Sequence, residues 1–200
     1  MVVDKPAGLE TAGRSLADPR SVQHRLAAQL GRPVWAVHQL DRDTSGVNVF
    51  VRKASLVAAW QAELKRARKV YLAIAHGRFA EASVEVDAPL RYDEASRRWV
   101  VREGREARTR VARIAVTDAF SALEVTLLTG RTHQARVHLA HLGHPLAGER
   151  RYRDPPSEAH ARHALHAWRL ELADGRRFVA PIPDDLRVLA ERLGLGLPAA

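Results

Sequence analysis

Val34-Trp35-Ala36-Val37-His38-Gln39-Leu40-Asp41-Arg42-Asp43-Thr44-Ser45-Gly46-Val47-Asn48-Val49-Phe50-Val51 sets two apolar runs around a polar connection. Val34 to Val37 reads as a short strand, and Val47 to Val51 alternates as a second one. His38 to Gly46 then links two parts of a sheet. Asp41 and Asp43 flank Arg42, and Thr44-Ser45-Gly46 follows. Such residues make a hydrogen-bonded loop rather than a packing segment. Loops on a rigid scaffold carry catalytic groups, which makes Asp41 the candidate reactive carboxylate. A solvated turn with an Asp–Arg ion pair fits the same residues, so this stretch alone leaves both readings open.

Outward from the loop, helices and strands alternate in a mixed order. Ser21 is placed to cap a helix over Val22 to Leu30, with Val22, Leu26 and Leu30 on one face and Gly31 as the stop. Ser55 is expected to cap a second helix with Leu56, Trp60 and Leu64 inward. Its basic end, Lys65, Arg66, Arg68 and Lys69, suits the helix dipole and also suits phosphate. Val70 to His76 reads as a strand with Val70, Leu72 and Ile74 on one face and Tyr71 on the other. Short strands and exposed arms are expected between Arg78 and Glu106. Thr109 to Val116 and Ala122 to Leu128 read as paired strands. Thr132 is the expected cap of a helix burying Ala135, Leu139 and Leu142 and stopping at Gly143. A hairpin around Asp174-Gly175 and a last helix from about Asp185 to Leu193 complete the pattern. The fold class expected is α+β, one domain over 1–200, dominated by antiparallel pairing.

A chain of 200 residues fits a single domain with a substantial core. Its 46% hydrophobic and 28% charged residues place it among globular proteins rather than disordered ones. No apolar run approaches the roughly 20 residues of a membrane-spanning helix. Met1 to Pro6 shows no basic segment followed by an apolar one, so no secretory signal is visible, and a cytoplasmic location is expected. The absence of cysteine excludes disulfide and thiolate chemistry. The net charge of +9, mostly from arginine, suits a polyanion. Nucleic acid fits better than membrane because no basic amphipathic helix stands out. Arginine-rich genome composition would produce the same excess.

The ten histidines include His138-x2-His141-x2-His144 and His160-x2-His163-x2-His166, spacings that put pairs on one helix face. Neighbouring arginines repel a cation and no HExxH pattern is present, so no metal is expected. Ser45 lacks a nucleophile elbow, and no glycine-rich phosphate loop occurs. Asp41, Tyr71 and Arg136 remain. A carboxylate attacks a sugar carbon only when ionised and aimed, and an arginine partner does both. An aromatic ring stacks on an extruded base, and its hydroxyl relays a proton. Spacing alone does not bring these three residues together.

Five blocks carry a resemblance to a known family. They are Val3-Asp4-Lys5-Pro6-Ala7-Gly8-Leu9; His38 to Gly46; Lys69-Val70-Tyr71-Leu72-Ala73 with His76-Gly77; Gly130 to His138 continuing through His141 to Gly148; and Leu165-His166-Ala167-Trp168. In order and spacing the chain resembles the RluA family of RNA pseudouridine synthases, without the S4-type RNA-binding domain of some members. The resemblance implies the mainly antiparallel pseudouridine synthase fold. It also implies isomerisation of uridines in ribosomal RNA (23S-type) or tRNA, with no cofactor and no metal, by a monomer. The N-glycosidic bond breaks and the uracil rejoins through C5.

Asp41 would be the catalytic aspartate, Tyr71 the active-site tyrosine, and Arg136 the arginine that pairs with Asp41. RNA contacts would fall to Gln39, Arg42, Thr44, Lys69, Arg131, His133 and Gln134. A non-catalytic RNA-binding protein on the same scaffold is the rival, and retention of Asp41, Tyr71 and Arg136 argues against it. The family usually has arginine where this chain has Gln39, which removes a charge and a five-donor fork. Ala135 replaces a larger apolar residue, and the abrupt start predicts a shortened first strand.

Overall fold

The computed structural model describes residues 1–199. In chain order the elements are β1 (Val2–Lys5), α1 (Val22–Leu30), β2 (Trp35–Ala36), β3 (Ser45–Val51), α2 (Val57–Arg66), β4 (Arg68–His76) and β5 (Ser83–Asp87). After them come β6 (Leu90–Asp93), β7 (Arg98–Val101), β8 (Arg108–Val116), β9 (Phe120–Leu127), α3 (Gln134–His141), β10 (Leu165–Glu171), β11 (Arg177–Val179) and α4 (Asp184–Arg192). The described residues form two compact units, Met1–Arg68 with Ala167–Pro181, and Lys69–His166 with 182–199.

In the first unit β3 is the central strand, buried along its whole length. β1 pairs with it antiparallel, from Val2 opposite Val49 to Lys5 opposite Gly46. β2 pairs with its end, Trp35 opposite Val51, and β11 pairs antiparallel with β10. Strand alternation divides β3 between two clusters. Val47, Val49 and Val51 pack with Leu64 and Ala67 of the α2 side and with Leu170. Phe50 packs instead with Val22 and Val34, against Leu26 and Leu30 of α1. Each fully buried side chain of this kind contributes about 1.5–3 kcal/mol relative to exposure. β3 is therefore held from both faces, and the loop before it starts from a fixed end.

α1 ends where its residues predict. The Ser21 Oγ accepts from the His24 amide at 3.1 Å, and Gly31 takes a left-handed φ of 64°. The second helix differs from expectation. A short 3₁₀ turn covers Ala54–Leu56, α2 begins at Val57, and no side chain caps it. Leu56 is 42% exposed, so only Leu64 of the predicted inward set is buried. Ser55 sits within the 3₁₀ turn, which removes it from the cap position.

The second unit holds four antiparallel strands in the order β4-β9-β8-β5, so the first strand of the set lies beside the last. β4 pairs with β9, β9 with β8 and β8 with β5, and an irregularity between Arg113 and Ala115 shifts the β8 register. β6 and β7 form a separate hairpin. β4 is buried on both faces from Val70 to Ala75, so the two-faced alternation expected of it does not separate inside from outside. α3 is buried from Gln134 to Leu139, more of its circumference than its apolar spacing predicts. Thr132 does not cap it. The residue at that position is His133, in a left-handed conformation with no side-chain cap bond, and the Gln134 amide oxygen instead braces the preceding turn by accepting from the Arg131 amide at 3.0 Å. The short first strand is complete enough to pair at four positions.

Candidate active site

The Asp41 loop is tied down on both sides of the carboxylate. The backbone of Leu40 is gripped by one hydroxyl: Thr11 Oγ1 accepts from the Leu40 amide at 2.9 Å and donates to its carbonyl at 3.1 Å. On the other side the carbonyl of Arg42 accepts from the Gly8 amide at 2.9 Å and from Lys5 Nζ at 2.9 Å. Lys5 has no exposed surface, and its ammonium also donates to the carbonyls of Leu9 at 2.6 Å and Pro6 at 3.0 Å. A buried ammonium needs such partners, because an unmatched one costs several kcal/mol. The Asp41 carbonyl in turn accepts from the Thr44 amide at 3.0 Å, closing the turn. A half-buried carboxylate is thus carried on a backbone whose neighbours on both sides are fixed.

Within this loop the other predicted residues take different places. Gln39 is exposed. Arg42 forms a two-bond pair with Asp43 at 3.1 and 3.2 Å, with the arginine 62% exposed, an arrangement worth about 0–1 kcal/mol. Asp43 is thereby occupied by its neighbour, which leaves Asp41 as the loop's other acid. Thr44 is buried immediately before β3. His38 lies behind the loop, where its Nε2 accepts from the Val49 amide at 3.2 Å.

The second unit holds Tyr71, Lys69, Arg131, His133, Gln134 and Arg136. Tyr71, nearly buried on β4, sits opposite Val125 of β9. Burial lowers the pKa of the Lys69 ammonium, whose Nζ lies close to Gly130. Arg131 donates through Nε to the Glu106 carbonyl at 2.8 Å. Gln134 is 1% exposed, with its amide fully used. Its Oε1 accepts from Thr129 Oγ1 and the Arg131 amide, and its Nε2 donates to the Arg108 carbonyl and Thr109 Oγ1. That residue, expected to face RNA, holds the turn before α3 instead.

Arg136 is 8% exposed, and its guanidinium grips Glu149 with two bonds, Nε to Oε2 at 2.9 Å and Nη2 to Oε1 at 2.8 Å. The Tyr152 ring lies 5.1 Å from the Arg136 Cζ, and the Tyr152 hydroxyl meets His133 Nδ1 at 2.5 Å. Burial pushes the Tyr152 phenol up to about 12, so it stays protonated across the working range. For Glu149, burial raises the pKa, but the bonds and charge of Arg136 outweigh it and leave the carboxyl below its ordinary value. Arg136, His133 and Tyr152 are therefore one cluster organised by Glu149.

Lys5, Thr11, Glu149 and Tyr152 are site residues that sequence reasoning did not single out. Lys5 left a signal, a charge closing the short strand Val2–Lys5 before proline. Glu149 left only its place as the sole acid in Glu149-Arg150-Arg151-Tyr152-Arg153.

The histidine rows hold hydrogen bonds. His138 accepts or donates at Thr109 Oγ1 and the Ala88 carbonyl, His144 meets the His76 carbonyl, and His160 meets Asp185. Among the described residues no group of three or more potential ligands is arranged to hold a metal ion. No helix among them is long and apolar enough to cross a membrane.

Comparison with known proteins agrees with these elements. An uncharacterized RNA pseudouridine synthase of Chloroflexus aurantiacus is 41% identical over 167 residues, covering 78% of this chain and 52% of the relative. Ribosomal large subunit pseudouridine synthase D of Nitrosomonas europaea is 36% identical over 215 residues, covering 96% of this chain and 62% of the relative. The chain thus spans about half to two thirds of the length of these curated relatives. In fold it is similar to human RNA pseudouridylate synthase domain containing 4, with a TM-score of 0.82 at 24% identity over 99% of this chain and 91% of that one. A family model described as RNA pseudouridylate synthase matches residues 1–141, and the chain belongs to that family.

Proposed function

We propose that this chain is the catalytic domain of an RNA pseudouridine synthase acting on uridines of ribosomal RNA or tRNA. The observation that carries the reading is the fastening of Leu40 and Arg42 by Thr11, Gly8 and Lys5, which presents Asp41 on an immobile backbone. Fixing a reacting group in place replaces entropy lost at each encounter, and a polar loop with no reactive duty has no need of it. The uridine leaves its stack to reach the site, and the aromatic face of Tyr71 receives the base. Asp41 acts at the sugar while the N-glycosidic bond opens, the uracil turns, and C5 takes the place of N1. The C5 proton is then lost with Tyr71 as its relay. Arg136 supplies positive charge that keeps a carboxylate ionised. Gln39, Arg42, Thr44, Lys69, Arg131 and His133 contact the RNA, and phosphate supplies most of the affinity. The reaction moves a bond within one molecule and consumes no redox equivalent, so this scheme calls for no cofactor or metal, and a monomer suffices.

Release of tritium from RNA labelled at uridine C5 measures the reaction. The wild-type chain should release it, and Asp41→Asn should abolish release while binding RNA nearly as before. Release that persists in Asp41→Asn removes Asp41 from the chemistry. RNA binding with no release by the wild type favours a non-catalytic RNA-binding protein.

A further inference from the structure

The loop after α3 has more order than a connection requires. Gly148 adopts φ 74°, and a Cβ there would fall 2.0 Å from the Arg162 carbonyl oxygen, so only glycine fits. Its amide donates to Ser157 Oγ at 2.9 Å, and the Ser157 amide donates to the Glu149 carbonyl at 2.8 Å. The Glu149 amide donates to the Leu146 carbonyl at 3.0 Å. Glu149 Oε1 accepts additionally from the amides of Arg151 at 2.9 Å and Tyr152 at 3.3 Å. A carboxylate with 1% of its side chain exposed is thus fixed at its backbone and at its oxygens.

We propose that Glu149 is a positioning residue for the reaction: its two-bond grip, with the Tyr152 ring, sets the plane in which the Arg136 guanidinium works. The inference rests on the reading of Arg136 as an active-site arginine. One edge of the planar fork is held by the carboxylate, and Tyr152 covers its surroundings at 5.1 Å. That pairing uses Nε–H and one Nη2 hydrogen, which directs the Nη1 donors and the second Nη2 hydrogen to other acceptors. His133 continues the support, since its ring holds the Tyr152 hydroxyl. A buried ion pair contributes little to net stability compared with apolar packing, whereas a fixed guanidinium contributes orientation.

The test is Glu149→Gln, which keeps shape and removes the charge and one acceptor, measured in the full chain by tritium release from C5-labelled RNA. Displacing a reacting group by about 1 Å costs on the order of 100-fold, so kcat should fall 10- to 100-fold with KM little changed. Glu149→Asp, which restores the charge on a shorter arm, should recover part of the loss. Because Glu149 acts through Arg136, adding Glu149→Gln to Arg136→Lys should lower kcat by less than twofold further. Losses that multiply in the double variant overturn the proposal, as does an unchanged kcat in Glu149→Gln. A loss in both Glu149 variants that tracks the fraction of folded protein assigns the residue a structural role only and also overturns it. If the wild type releases no tritium, the reading of the site fails and this inference with it. Release that is normal in wild type, absent in Asp41→Asn and unchanged in Glu149→Gln overturns the inference alone.

Discussion

Lys5 and Arg42 stand 37 residues apart in the chain, yet the buried Lys5 ammonium donates to the Arg42 carbonyl at 2.9 Å. The residue immediately before that carbonyl's owner is Asp41. One charged side chain at the end of β1 therefore sets the backbone on which the candidate reactive carboxylate stands. Its other two acceptors, Pro6 and Leu9, fasten the preceding loop to the same nitrogen.

Lys5→Met fills the same space with an apolar chain and leaves those carbonyls without their charged donor. Bonds to charged groups carry about 1.5–3 kcal/mol, so the variant should lose about 3 kcal/mol of unfolding free energy. Urea titration measures the loss, and tritium release should fall with it because the Asp41 loop loosens. Undiminished stability would show that the three carbonyls find other donors.

Gly46 closes the loop at φ 110°, and a Cβ there would lie 2.2 Å from the Ala167 carbonyl oxygen. Gly46→Ala combines backbone strain with a clash against main chain, so a loss of about 3 kcal/mol or more is expected. At Gly175, with φ 89°, an added methyl would meet nothing within 4 Å, so Gly175→Ala should lose only about 1 kcal/mol. Equal losses in thermal unfolding would contradict the packing argument.

Acid should attack the anchor of α4. Burial raises the pKa of Asp185, but hydrogen bonds from His160 and Arg162 outweigh it and hold the carboxyl well below the usual range. A depressed folded-state pKa contributes stability that is present above the unfolded value, about 3.9, and is lost as pH falls below it. Glu149, lowered by Arg136, adds to the same limb. Asp185→Asn should be less stable near neutrality and lose less on acidification, as followed by tryptophan fluorescence. Parallel acid curves for wild type and variant would place the transition elsewhere.

Gln39 is exposed beside Asp41, so a charge there faces solvent or RNA rather than the core. Gln39→Arg should tighten RNA binding and steepen the dependence of log K on log salt by about 0.7–0.9, the release of one counterion. Filter binding across a salt series reads the slope. An unchanged slope and unchanged site preference would remove Gln39 from the RNA contact.

Local periodicity carried much of the fold. Ser21 and Gly31 bracket α1 because their side-chain oxygen and left-handed backbone act within a few residues. The pairing of β8 with β9 follows from two alternating runs joined by a short turn. Ser55 and Thr132 misled for the opposite reason. Each is a good cap by residue type, but a 3₁₀ turn displaces one, and a left-handed His133 takes the cap position from the other.

The order and type of the motif residues determined the family reading and the choice of Asp41, Tyr71 and Arg136, because chemistry of that kind resides in residue identity. Only tertiary structure decided what holds and surrounds them. Gln134 went inside since Arg108 and Thr109 of the distant strand β8 satisfy its amide nitrogen there, while nearby Thr129 and Arg131 satisfy its oxygen. Lys5 reaches 37 residues to Arg42, and Glu149 reaches 13 back to Arg136. Neither separation is a helix or strand period, so no pattern along the chain marks them. Burial makes those bonds obligatory, because an ammonium, guanidinium or carboxylate removed from water must find its partner in the folded chain.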